Sequence, residues 1–194
     1  MATTSPTHTT TREYQGVQVP EAGTYSLDKG HTTVEFVGRH LMITKVRGRF
    51  TGFDGQIVIG DAPEDSSVEV TVETASVDSS DEKRDGHLRS PDFLDVENYP
   101  AITFRSTKVD IGRDGTAKVA GDLTIKDVTR PVTLDVEFDG AQTDPWGGQR
   151  IGFSAHTEID RENWGLTWNV ALETGGVLVG KKIRLELNVE AVKQ

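Results

Sequence analysis

The chain predicts an all-β fold of eight antiparallel strands, and three observations predict it. Apolar residues recur at every second position in eight separate stretches. Short segments rich in Gly, Asp, Lys and Thr divide those stretches, as turns between antiparallel strands do. Outside one irregular region, Arg84 to Phe104, no segment carries the three-to-four-residue apolar spacing of a long amphipathic helix.

Residues 1 to 20 are rich in Thr and lack periodicity, so they are expected to form a flexible polar arm ahead of a single domain over 21 to 194. Thr24 to Leu27 reads as a short extended lead. In strand one, Thr32 to His40, the residues Val34, Phe36, Gly38 and His40 share one face and Glu35, Val37 and Arg39 the other. Strand two runs from Val46 through Gly48 and Phe50 to Ile59, its glycines permitting the bends of a closing sheet. Strand three alternates Val68, Val70, Val72 and Thr74 with Glu69, Thr71 and Glu73, a half-buried strand with one acidic wet face.

The irregular region follows. Ser80 and Asp81 are helix-start residues, so one or two helical turns are expected between Asp81 and Leu94, and Tyr99-Pro100 forbids their continuation. Ile102 to Ile111, Lys118 to Ile125 and Val132 to Phe138 form a meander joined by turns at Gly112-Arg113-Asp114-Gly115 and Lys126-Asp127. Pro145 to Gly148 is a further turn. Ile151, Phe153, Ala155, Thr157 and Ile159 mark strand seven, and Ile183, Leu185, Leu187 and Val189 strand eight.

Eight antiparallel strands make either a sandwich or a barrel, and the pattern alone does not choose. A closed barrel of eight is wide enough to be filled by its own side chains or to hold one slender ligand. Small residues at inward positions, Gly38, Gly48, Thr74, Gly121 and Ala155, favour a cavity.

Composition excludes several function classes. The net charge of −10 sets the general field against phosphate backbones and anionic bilayers, so nucleic acid is not an expected partner. With no cysteine, disulfides cannot support the fold. The start lacks the basic and apolar regions of a leader, and no apolar run is long enough to cross a bilayer, so a cytoplasmic location is expected. His31, His40, His87 and His156 lack the close pairing of a zinc site, and Gly-x-Ser-x-Gly is absent, so neither a metal nor a catalytic residue is expected.

The central segment carries a further signal. Arg84-Asp85, His87-Leu88, Asp92-Phe93, Tyr99-Pro100 and Ile102-Thr103-Phe104 resemble the signature region of the YceI-like, or polyisoprenoid-binding, family. Asp28 with His31 to Val34, Phe36 and His40, then Val46, Gly48 and Phe50, then Gly121 to Val132 agree with it in order. The resemblance spans roughly Gly23 to Ala191. It implies a lipocalin-like barrel, with a short helix between strands three and four, that encloses a long isoprenoid lipid, polyprenyl or quinone in type, without other cofactor. A homodimer is also in keeping with it.

The ligand-binding set this implies is Phe36, His40, Phe50, Leu88, Phe93, Phe104, Leu123, Ile125, Phe138, Phe153 and Trp164. The alternative for these residues is a core that packs on itself. Arg84, Asp85, His87 and Arg89 are head-group candidates at a barrel mouth, or else a cluster that fixes the helical turns to the rim. Arg161 to Gly165 matches a further block of the family, with Trp164 and Trp168 closing one end and Arg161 pairing to a carboxylate. Two other functions remain open: an enzyme acting on such a lipid, with His40 or His87 as base beside Asp85, or a structural or stress-related barrel.

Overall fold

The computed structural model describes residues 10–112, 114–173 and 176–194. Residues 1–9 of the expected arm and Arg113 of the expected turn lie outside them. The remainder of the arm is not a loose tail: β1 (Thr11–Tyr14) and β2 (Val17–Pro20) pair as an antiparallel hairpin. Gln15 and Gly16 both take positive φ at its turn, as a two-residue hairpin requires. Val19 is 4% exposed, so this hairpin is packed onto the rest of the chain.

Eight strand positions then close into a barrel. Three of them are broken. β3 (Gly23–Leu27) and β4 (Thr33–His40) run in succession along β13 (Lys182–Lys193). β5 (Thr44–Phe50) and β6 (Phe53–Ile59) pair with β4 and β3 respectively, and β7 (Ser67–Glu73) and β8 (Val77–Asp78) with β6 and β5. β9 (Ala101–Ile111), β10 (Thr116–Ile125), β11 (Val128–Thr143) and β12 (Gln149–Asp160) continue as a meander from β7. β12 then pairs with β13 from Arg150↔Val192 to Asp160↔Lys182, which closes the ring. Barrel rather than sandwich is thereby decided, and no edge is left along this seam.

The breaks have local causes. At the first, Asp28 Oδ1 accepts from the Gly30 N–H at 2.8 Å, turning the chain aside. The buried Thr32 hydroxyl donates to the Glu190 carbonyl and accepts from the Glu190 N–H, at 3.0 and 3.1 Å, standing in for the missing ladder. Arg150 rivets the same place, donating to Asp28 Oδ2 (2.6 Å), Glu190 Oε1 (2.5 Å) and Asp144 Oδ2 (2.9 Å). The Arg150 hydrogen bonds hold the Asp28 and Asp144 carboxyls below the ordinary carboxylate range.

Between β8 and β9 the chain forms α1 (Glu82–Arg89), capped by Asp81, whose side chain accepts from the Arg84 N–H at 3.0 Å. β8 pairs with β5 and not with β9, so the wall is open here and α1 with residues 90–100 fills the gap. Phe93, Leu94, Trp164 and Leu166 are buried beneath, joined by Val77, Leu123, Ile125 and Ile159 in one cluster. That cluster plugs one end of the barrel.

Candidate functional site

Above the plug, the barrel encloses a cavity of about 260 Å³. Its wall is built from the inward faces of β6, β7, β9, β10, β11, β12 and β13, where alternation delivers Val70, Val72, Val119, Leu134, Val136, Leu187 and Val189. Phe50, Phe104, Leu123, Ile125, Phe138 and Phe153 join them, six of the residues singled out from the sequence. Ala155 lines it as well.

The other five stand elsewhere. Phe93 and Trp164 are buried in the plug, and Leu88 and Phe36 are packed against it. Trp164 is 3% exposed and its Nε1–H donates to the Leu123 carbonyl at 3.1 Å. His40 is exposed at the end of β4, bridged to Val179. Two of the inward glycines do not leave open space. A Cβ on Gly48 would lie 2.3 Å from Phe36 Cζ, and one on Gly121 2.5 Å from Phe104 Cζ. Each glycine is therefore the seat of a phenyl ring. Thr74 is spent on structure too, its hydroxyl donating to the Tyr99 carbonyl at 2.7 Å.

The four head-group candidates come together, but around α1 and away from the cavity lining. Asp85 is buried and accepts from the Ser79 N–H (2.8 Å) and hydroxyl (2.5 Å). Arg84 donates to the Ser79 hydroxyl and carbonyl, both at 2.7 Å. Arg89 donates to the Ala75 and Val77 carbonyls at 2.9 and 2.6 Å. His87 Nε2 lies 2.8 Å from Asp92, with the ring edge-on to Trp168 at 4.4 Å. Their geometry is that of a cluster fixing the helix to the rim.

Arg161 also departs from expectation. It is 4% exposed and donates to the carbonyls of Gly180 (3.0 Å) and Leu166, rather than to a carboxylate. Burial pulls its guanidinium below the ordinary arginine value. Carbonyl oxygens of Leu166 and Gly180 satisfy the donors, so the charge serves to hold these two backbone segments together beside the plug.

The mouth lies at the opposite end and was not legible as a site. Val17, Gln18, Val19 and Pro20 of β2 cover it, with Pro63, Ser66, Gly115 and Thr116 from neighbouring turns. The hairpin is tied down by Arg12, which donates to the Gly60 carbonyl at 2.7 Å. A polar recess bounded by Gly16, Asp114 and Glu137 adjoins the cavity, the two sharing Val17, Gln18, Gly115 and Phe138. The available signal was Gln15-Gly16 followed by the alternation of Val17 and Val19.

The lining offers one ionisable side chain among the described residues, Glu35, which lies 3.8 Å from Arg47. Close to the rim, Asp28, His31 and Glu190 bring metal-ligand atom types together, but Arg150 donates to both carboxylates. What the cavity can do is take an apolar chain out of water.

Comparison with known proteins agrees with this architecture. The YceI-like domain family matches residues 25–191. A UPF0312 protein of Staphylococcus aureus is 39% identical over 169 residues, covering 86% of this chain and 95% of the relative. A UPF0312 protein of Staphylococcus epidermidis is 38% identical over the same shares. Among solved structures, the Campylobacter jejuni YceI protein superposes with a TM-score of 0.70 at 30% identity, over 80% of this chain and 90% of that one. A polyisoprenoid binding domain from Saccharophagus degradans shares the fold, with a TM-score of 0.65 at 14% identity over 90% of this chain and 100% of that one. The signature blocks, the plugged eight-stranded barrel and these matches together place the chain in the YceI-like domain family.

Proposed function

We propose that this protein binds a long-chain isoprenoid lipid, of polyprenyl or isoprenoid quinone type, and stores or transports it without chemical change. The observation that carries the reading is the cavity itself: closed at one end, roofed by a hairpin at the other, and walled by aliphatic and phenyl side chains. Such a space suits a slender hydrocarbon tail. Removing on the order of 500 Å² of tail from water contributes roughly 12 kcal/mol before the cost of ordering. The polar groups at the mouth, Gln18, Ser66, Ser67 and Thr116, are neutral and suit a quinone or hydroxyl head better than a free charge.

Holding rather than turnover is supported by the placement of the candidate bases. His87 is engaged by Asp92 beside Trp168, and His40 is exposed beyond the plug. The binding domain from Saccharophagus degradans shares the barrel, which supports a hydrophobic ligand of the same class. Native mass spectrometry of the protein as purified, followed by organic extraction, tests the proposal. A prenyl chain released at near one per chain is the expected result. Protein that is empty as purified and takes up neither a polyprenol nor a quinone overturns it.

A further inference from the structure

We infer that the β4–β5 turn is a docking tip for an anionic lipid surface. It stands at the plugged end of the barrel, and the inference is independent of what the cavity holds. Met42 is 56% and Ile43 77% exposed. Val170, 45% exposed, joins them through a backbone ladder in which Leu178 N–H donates to the Val170 carbonyl and Leu41 N–H to the Leu178 carbonyl, at 3.0 and 2.8 Å. Among the described residues four large apolar side chains face water, and three of them stand here.

The backbone makes the choice of residues unusual. Leu41 and Met42 take φ of 52° and 59°, where Asn and Gly are the residues of low strain. The turn thus holds bulky apolar side chains in a conformation that disfavours them, and although Leu41 is half-buried, Met42 gains no packed core in return. A partner that covers them is the missing compensation.

The flanking charges say which partner. Arg39 and Lys45 are directly opposite each other at the base of the turn, both exposed, with no carboxylate in ion-pair range among the described residues. His40 is exposed beside them. Lys181 and Lys182 follow close by but are matched by Glu162 and Glu158 at 2.7 and 3.6 Å, and Glu173 is the exposed carboxylate of the neighbouring segment. Cations around an apolar tip complement anionic headgroups above acyl chains. A second copy docking tip to tip would set Arg39 and Lys45 against their own kind. The general repulsion set up by the net charge of −10 is screened over about 8 Å at physiological salt, so at the contact itself the local cations dominate.

The test is co-sedimentation of the full chain with phosphatidylcholine vesicles, with and without phosphatidylglycerol. Wild type should bind the phosphatidylglycerol vesicles in a salt-sensitive way. Arg39→Gln and Lys45→Gln should each weaken binding about fivefold. Met42→Ser and Ile43→Ser should each weaken it roughly tenfold or more. Trp146→Ser, which alters an 88% exposed side chain at the β11–β12 turn on the far end, should change nothing and controls for general stickiness. Absence of binding, equal binding to neutral vesicles, or binding that survives all four tip variants overturns the inference. So does a wild-type dimer in analytical ultracentrifugation that the tip variants abolish, since the tip would then join two copies.

Discussion

Truncating Trp164 tests whether the plug separates the cavity from the far end of the barrel. The side chain is 3% exposed, contacts the buried cluster of Val77, Phe93, Leu123 and Ile159, and donates to the Leu123 carbonyl at 3.1 Å. Trp164→Ala should cost about 3 to 5 kcal/mol through lost burial and the cavity left behind. For a domain of this size that lowers Tm by roughly 6 to 20 °C. Trp164→Phe keeps most of the volume and removes the donor, so it should cost about 1 to 3 kcal/mol. Urea unfolding of ligand-free protein measures both, and exchange of a bound fluorescent lipid measures leakage through the floor. Trp164→Ala should accelerate that exchange because Leu123 and Ile125 line the cavity directly above. A loss below about 1 kcal/mol with unchanged exchange would refute the assignment of Trp164 as the floor.

Gly121→Ala should cost about 1 to 3 kcal/mol and narrow the cavity, because its Cβ would lie 2.5 Å from Phe104 Cζ and 2.6 Å from the Arg105 carbonyl; thermal unfolding and lipid stoichiometry check both effects. The Arg150 cluster predicts acid sensitivity of a definite sign. Asp28 and Asp144 have carboxyls depressed in the folded state, so their contribution is full above about pH 4 and is lost as pH falls below it. Arg150→Met should therefore lower the urea midpoint at neutral pH and flatten the acid limb relative to wild type; parallel limbs would refute the linkage. Deleting residues 1 to 20 should leave the barrel folded by circular dichroism but speed lipid exchange, since Val17 to Pro20 roof the mouth; unchanged exchange would show that the hairpin does not gate it.

Much of the architecture was legible because strand geometry imposes a period of two on any half-buried sheet. Val68 to Glu73, Ile151 to Ile159 and Ile183 to Val189 all fall within the strands so expected, whereas Thr74, expected to end strand three, instead opens a 3-10 turn over Thr74–Ser76. The helix was legible from Asp81, whose short carboxylate caps it. The hairpin over Thr11–Pro20 was obscured by the polar residues around it, as its stability comes from Val19 and Pro20 packing on the mouth and from the Arg12 contact to Gly60.

Alternation in the chain thus determined by itself the side of the sheet most side chains take, where most turns fall, and that the central segment must leave the sheet. It missed the break at Thr51–Gly52 within the expected strand two and set His40 inward, where the structure exposes it. Only the tertiary structure decided what the inward residues do. Phe50 and Phe36 lie on adjoining strands with their rings 5.6 Å apart and both pack against the plug, yet only Phe50 also lines the cavity. Gly48 and Gly121 read as space in the sequence and are filled by rings from the strand alongside. The physical reason is that local pattern specifies a side of the sheet. Height along the barrel and the neighbour across it are set by register and closure, which depend on residues far away in the chain.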